Sequence, residues 1–183
     1  MKLFMLVVGC SLPDRFTEQH DVFFGIGNEL KDLVPALQEF WPAAGKKLHI
    51  DAWREVTQVD GYNVSVVPRE ASVQAQDAHL YFINLGGYKR EDLEEYHYKM
   101  IVAARDRGVA IQQSKQTAFY KHMGFQGATS HVDDKYGVDV DDIYEIADIL
   151  TPSLKEKYRL VLSPAEKVVE DEKHQGYFKL DKL

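Results

Sequence analysis

An apolar run that ends at a glycine occurs twice in the chain, 77 positions apart. Residues 3–8 (Leu-Phe-Met-Leu-Val-Val) precede Gly9, and residues 80–85 (Leu-Tyr-Phe-Ile-Asn-Leu) precede Gly86. A short apolar run closed by a glycine is typical of a buried β-strand. The pattern therefore predicts two related core strands, one near the start of the chain and one in its middle.

The same ungapped shift also carries a Glu-x-His pair from the first run to the second. Glu18 and His20 align with Glu95 and His97. Because an apolar run, a glycine and two polar residues recur in one order, the sequence predicts an internal duplication.

Each copy is predicted to contain a β-β-α-β-β series. In the first copy, strand patterns at 20–27, 47–57 and 62–67 surround a helical pattern at 29–41, whose apolar residues recur every three or four positions. In the second copy, the corresponding segments are strands at 80–85 and 96–104, a helix at 109–123 and a strand–turn–strand at 130–140 with Gly137 at the bend.

The predicted fold class is α+β, a mostly antiparallel sheet with helices on one face and two repeats packed about a pseudo-twofold axis. The first repeat is expected at 1–68, a linker at 69–79 and the second repeat at 80–150. Residues 151–183 form a C-terminal extension, with an edge strand at 155–162 and a frayed, charged end.

Composition excludes several classes of protein. The formal net charge of −7 disfavours non-specific binding to nucleic acid or to an anionic membrane surface. No apolar run approaches the roughly 20 residues of a membrane span. Cys10 is the single cysteine, which excludes an intrachain disulfide and favours a cytoplasmic location. A homo-oligomer is compatible with all of these features.

Paired histidines and aspartates are the main candidates for chemistry. His49 and Asp51 align with His131 and Asp133 at a shift of 82 positions, and residues two apart on a strand share a face. Such a pair could bind zinc, manganese or iron, act as an oriented general base, or satisfy a half-buried sheet. The pattern leaves all three open and indicates no particular cofactor.

The densest polar stretch is the second copy's predicted hairpin at 130–142, which has five aspartates in ten residues. Its aspartates do not have EF-hand spacing. The candidate ligand-binding residues are His97, His131, Asp133, Asp134, Lys135, Tyr136, His20, His49 and Asp51. His97, His131 and Asp133 are the candidate metal ligands.

Several longer motifs resemble the bacterial family called domain of unknown function 1543. They are residues 48–53 (Leu-His-Ile-Asp-Ala-Trp), 59–62 (Val-Asp-Gly-Tyr), 84–88 (Asn-Leu-Gly-Gly-Tyr), 115–121 and 130–142. The resemblance covers about residues 1–162 and implies two tandem copies of the family's domain. It implies no activity, substrate or cofactor.

Two functional hypotheses follow. The first is a binding or regulatory module that recognises a small polar ligand or a protein partner through the second copy. The second is a metal-dependent hydrolase or related enzyme that uses His97, His131 and Asp133, joined by His20, His49 and Asp51. The sequence does not identify a catalytic residue.

Overall fold

A computed structural model describes residues 1–74, 76–88, 93–116 and 138–183, with only the backbone described for Tyr88, Val138 and Asp139. The chain divides into two compact units. The first comprises residues 1–74 and 149–183, and the second comprises residues 75–148.

The first unit contains two antiparallel sheets. One is four-stranded, in the order β10-β3-β1-β2, and the other is three-stranded, in the order β4-β5-β9. The strands are β1 (Lys2–Cys10), β2 (Gln19–Gly27), β3 (His49–Glu55), β4 (Gln58–Val59), β5 (Tyr62–Pro68), β9 (Tyr158–Pro164) and β10 (His174–Lys179).

The helical segment between β2 and β3 covers one face of the first sheet. It comprises a 3₁₀ turn at Leu30–Leu33, helix α1 at Val34–Phe40 and a second 3₁₀ segment at Pro42–Lys47. Pro35 occupies the first turn of α1, where its missing N–H costs no hydrogen bond. The proline therefore does not interrupt the helix. Apolar side chains from this segment and from the sheet form one core: Phe4, Leu6, Val8, Cys10, Phe23, Leu33, Leu37, Ala44, Leu48 and Ile50.

The second unit contains a three-stranded antiparallel sheet in the order β7-β6-β8. Its strands are β6 (His79–Tyr88), β7 (Glu95–Ala104) and β8 (Val138–Glu145), with helix α2 at Arg107–Ser114. The core comprises Tyr81, Ile83, Leu85, Val102, Ala104, Ala110 and Ile143. Helices α3 (Ile146–Ile149) and α4 (Pro152–Lys157) follow β8.

The structure is a mixed α+β fold with mostly antiparallel sheets and few helices, as predicted. One local prediction was wrong. The tight-turn signal Asp60-Gly61 predicted that residues 62–67 form a hairpin with the strand at 47–57, but β5 pairs with β4 and β9. Residues 141–150, predicted from the sequence to form a short helix or strand end, contain both, since β8 continues to Glu145 and α3 follows at Ile146–Ile149.

The C-terminal tail was predicted to fray because it is rich in charged residues, but in the structure it docks on the first unit. Strand β10 pairs with the outer edge of β3, and Phe178 packs against the core of the first unit. The Asp171 carboxylate accepts hydrogen bonds from the Thr57 backbone N–H (3.0 Å) and from the Thr57 hydroxyl. The local charge pattern could not reveal this docking, because the contacting residues are far apart in sequence.

Within the described ranges, no helix is both long and apolar enough to cross a membrane.

Candidate functional site

Gly9 marks the point where polar side chains gather on the first sheet. It lies in the central strand β1, opposite His20 of β2 on one side and His49 of β3 on the other. A Cβ at Gly9 would lie 2.6 Å from Asp51 Oδ2 and 2.7 Å from His49 Nε2. The absent side chain therefore leaves the space that these polar groups occupy.

A β-bulge positions Asp51 beside His49. Val8 pairs with Ile50 but Val7 pairs with Ala52, so Asp51 is an extra residue that no residue of β1 faces. Bulges locally redirect side chains and recur next to functional sites. Here the bulge brings the Asp51 carboxylate to within 3.2 Å of the His49 ring.

Two imidazoles and two carboxylates form a closed ring of contacts, which we call the N-terminal cluster (Glu18, His20, His49 and Asp51). The Asp51 Oδ1 lies 3.2 Å from His49 Nε2, and its Oδ2 lies 3.3 Å from His20 Nε2. The Glu18 Oε1 lies 3.3 Å from His49 Nε2, and its Oε2 lies 3.5 Å from His20 Nε2. Each carboxylate thus spans both imidazoles.

His49 is the buried member of the cluster, with a side chain only 3% exposed. Its Nδ1 lies 2.9 Å from the Lys47 carbonyl oxygen, and the Tyr177 ring covers it at a centroid distance of 4.2 Å. A carbonyl oxygen only accepts, so Nδ1 carries the proton in this bond. The other nitrogen, Nε2, has no hydrogen bond, because neither nearby carboxylate is aligned with it, and Asp51 Oδ2 also lacks one.

Cys10 follows Gly9 but belongs to the core. Its side chain is buried, and its Sγ lies 3.8 Å from the Ala44 carbonyl oxygen. Burial raises the pKa of the Cys10 thiol above its usual value of 9.0, and nearby Lys47 only partly offsets this effect. The thiol therefore stays protonated at neutral pH and is a poor nucleophile or metal ligand.

The second unit places a related but different group on its own sheet, which we call the second cluster (Asn84, Glu95, His97 and Asp141). In β6, Gly86 stands opposite His97 of β7. The Asp141 carboxylate lies 3.2 Å from His97 Nδ1, and the Asn84 amide nitrogen lies 3.3 Å from the same atom. Glu95 is more distant, at 4.0 Å from His97 Nε2.

The strand registers correct one predicted residue pairing, that of Asp51 with Asp133. In β8, Val140 faces Leu85 and Asp142 faces Asn84, so Asp141 is the bulged residue, as Asp51 is in β3. The counterpart of Asp51 is therefore Asp141 and not Asp133. The shift is 90 positions instead of 82, which a short His-x-Asp match could not reveal.

Of the predicted site residues, the structure brings together His20, His49 and Asp51, and it places His97 in the second cluster. His131, Asp133, Asp134, Lys135 and Tyr136 lie outside the described residues. Sequence analysis noted Glu18 as part of the repeat but did not choose it as a ligand. The Glu-x-His spacing beside a predicted strand was the sequence feature that could have identified Glu18 as a site residue.

Within the described part of the chain, no three His, Cys, Asp or Glu side chains are already arranged to hold a metal ion. What the N-terminal cluster provides is a compact set of acceptors around one buried imidazole nitrogen.

Comparisons with known proteins concern the family and the fold of the chain. A search of curated proteins found no match. The chain is similar in structure to protein Il1583 from Idiomarina loihiensis, with a TM-score of 0.60, 23% identity and coverage of 98% of this chain and 97% of that one. This similarity shows a shared fold. The model of the family Domain of Unknown Function (DUF1543) matches residues 15–66, a stretch that contains all four members of the N-terminal cluster.

Proposed function

We propose that the protein is a binding module for a small cationic ligand and that the N-terminal cluster is its binding site. The observation that carries this proposal is the buried His49 Nε2, which faces two carboxylates without a hydrogen bond. A buried polar atom without a partner costs about 1–3 kcal/mol, so a ligand that engages it gains affinity.

The charge of the cluster determines the kind of ligand. Glu18 and Asp51 contribute carboxylates, and His49 can present an Nε2 lone pair while its Nδ1 donates to the Lys47 carbonyl oxygen. Both carboxylates and this nitrogen are then acceptors. The His49 Nε2 lies 3.2 Å and 3.3 Å from carboxylate oxygens, and acceptors this close repel one another unless a positive charge lies between them.

This proposal keeps the binding hypothesis of the sequence analysis but moves its site from the second copy to the first unit. We also propose that the two units arose by tandem duplication and that the protein is cytoplasmic. The shared registers of β1–β3 and β6–β8 support the duplication. The hydrolase hypothesis stays a prediction, because two of its residues, His131 and Asp133, lie outside the described chain.

A thermal-shift panel tests the proposal. Untagged, EDTA-treated protein is heated with zinc chloride, manganese chloride, calcium chloride, methylammonium or spermidine. At least one of these cations is expected to raise the melting temperature of the wild type and not that of Asp51→Asn. The matched control is Asp21→Asn, which removes the same charge from an exposed position of β2 and should keep the response. A panel in which no cation gives an Asp51-dependent rise would overturn the proposal.

A further inference from the structure

We infer that the cation is a divalent transition-metal ion, bound by imidazole and carboxylate groups of the N-terminal cluster, and not an organic cation. This inference rests on the proposed function, because it names the ligand of that same site. Three features of the cluster support it: the spacing of its donors, their chemistry, and the contacts that orient His49.

The spacing fits an ion with short bonds. Tetrahedral ligands lie about 1.6 bond lengths apart, so Zn–N and Zn–O bonds of about 2.0–2.2 Å place neighbouring donors about 3.3–3.6 Å apart. The four nitrogen–oxygen separations in the cluster are 3.2, 3.3, 3.3 and 3.5 Å. An ammonium group donates hydrogen bonds to acceptors at about 2.8 Å, and acceptors arranged tetrahedrally around it lie about 4.6 Å apart. The four contacts involve both oxygens of each carboxylate, and their lengths are closer to the spacing of metal ligands than to the spacing of acceptors around an ammonium group.

Donor chemistry selects among metals. Two imidazoles and two carboxylates form a nitrogen-and-oxygen set that suits zinc, manganese or iron. Calcium and magnesium prefer oxygen ligands alone. The buried imidazole of His49 therefore favours a transition metal.

His49 is also held in the way a ligating histidine usually is. Metal-binding histidines generally donate their second N–H to a carbonyl or carboxylate, which fixes the tautomer and the ring. The His49 Nδ1 makes this bond to the Lys47 carbonyl oxygen, and Tyr177 packs against the ring. Its Nε2 is thereby held within 3.3 Å of one Glu18 oxygen and one Asp51 oxygen before any ligand binds.

A protonated Nε2 that donates to the two carboxylates explains the contacts of His49 less well than a metal site does. Charge-assisted N–H···O bonds are usually about 2.7–2.9 Å long and well aligned. The contacts from His49 to Asp51 and Glu18 are longer, at 3.2 and 3.3 Å, and lack hydrogen-bond geometry.

Completing a metal shell requires side chains to turn, because no described group is already arranged as a metal centre. The exposed fractions show which ones have that freedom. The side chains of His20 and Glu18 are 44% and 38% exposed, whereas His49 is fixed by burial. The Asp51 side chain is intermediate, at 29% exposed. We therefore expect His49 to be the fixed ligand, and the more exposed His20 and Glu18 to close around the ion.

The test is a calorimetric titration of untagged, EDTA-treated full-length protein with zinc chloride, repeated with cobalt chloride so that visible absorption reports the coordination. The wild type should bind one ion per chain, with the absorption of four-coordinate cobalt. Asp51→Asn should weaken binding at least about 100-fold, because even outer-shell changes cost 10–100-fold. His20→Ala alters an exposed residue and should weaken binding without affecting the fold, which circular dichroism checks.

Asp141→Asn is the matched control, since it changes the bulged aspartate of the second cluster, and it should bind zinc as the wild type does. The inference is overturned if zinc and cobalt do not bind, or if Asp51→Asn and His20→Ala bind them normally. If methylammonium or spermidine binds in an Asp51-dependent way while zinc and cobalt do not, the proposed function stands and the metal inference fails. If no cation binds, both fail.

Discussion

The two units of the molecule share a framework of three strands and differ in what they build on it. In both, a central strand carries a glycine opposite a histidine, and the third strand carries a bulged aspartate. Gly9, His20 and Asp51 correspond to Gly86, His97 and Asp141. The repeated residues thus specify a scaffold for polar groups on one face of a sheet.

The two units differ at a fourth position of this framework, the residue of the third strand that lies opposite the glycine. Opposite the glycine, β3 supplies His49, whereas β8 has Asp139 at the same register. Next to the bulge, Val7 in the first unit corresponds to Asn84 in the second, and the Asn84 amide reaches His97. His97 is 40% exposed and His49 only 3%. A buried imidazole nitrogen without a hydrogen bond therefore occurs in the N-terminal cluster, whereas the buried atom without one in the second cluster is an amide oxygen, Asn84 Oδ1.

The comparison shows that repetition identifies the scaffold better than it identifies the site. His20 and His97 occupy equivalent positions in the two units, yet the residue that distinguishes the first unit is His49, which has no histidine at the structurally equivalent position of the second. Where two units share a framework, a site built on one of them is recognised from the positions at which the units differ.

The largest expected effect concerns the shared framework. Leu6 and Ile83 occupy equivalent positions in β1 and β6, and both are fully buried. Leu6→Ala and Ile83→Ala should each lower the free energy of unfolding by about 2–5 kcal/mol, because each leaves a cavity in a packed core. Urea denaturation measures both, with exposed Val168→Ala as the control. A negligible effect at either core position would contradict the shared framework.

The two glycines should respond differently to alanine. At Gly9 the new methyl group meets the buried His49 ring as well as Asp51, whereas at Gly86 the three nearest atoms all belong to the Asp141 carboxyl group. Overpacking of this kind costs about 1–3 kcal/mol where neighbours cannot move. We expect Gly9→Ala to fall in that range and to abolish cation binding, and Gly86→Ala to cost less because a carboxylate can rotate.

Thermal denaturation and zinc titration of both glycine variants give the result. Equal destabilisation, with zinc binding retained by Gly9→Ala, would show that the N-terminal cluster is not packed around Gly9 as the structure indicates.

The smallest effect concerns helix α2 of the second unit. The Asp106 carboxylate accepts a hydrogen bond from the Val109 N–H (2.8 Å), which lowers the pKa of Asp106 below its usual 3.8. A lowered pKa in the folded state stabilises the protein above the unfolded value, and this contribution is lost as pH falls through the folded value. Helix α1 of the first unit has no side-chain hydrogen bond at its cap.

Asp106→Asn keeps a capping side chain but removes the titration, so stability should fall less steeply below pH 3.8 than in the wild type. Melting temperatures measured across acidic pH test this. The control is Asp60→Asn, which changes an aspartate in the turn between β4 and β5. An unchanged slope in Asp106→Asn would contradict the role assigned to the cap.

The sequence predicted much of the framework because short-range patterns encode it. Strands β1, β2, β3, β6 and β7 and helix α1 follow from apolar runs, glycine stops and helical spacing. The docking of β10 could not be predicted, because its contacts join residues more than a hundred positions apart.

The site was only partly predictable for a related reason. His20, His49 and Asp51 were chosen as candidates, but their convergence depends on the β3 bulge and on the absent side chain at Gly9. The burial of His49 depends on Tyr177, which comes from a tail that was expected to fray. Strand register and distant packing made the site, and neither is visible in local sequence.

Anomalous X-ray diffraction from crystals soaked in zinc chloride tests the central claim most directly, because data collected on both sides of the zinc absorption edge locate the ion. The account predicts a strong anomalous peak within bonding distance of His49 Nε2 and Asp51, and none beside His97 and Asp141. A peak of equal strength at the second cluster, or density at neither cluster, would contradict it.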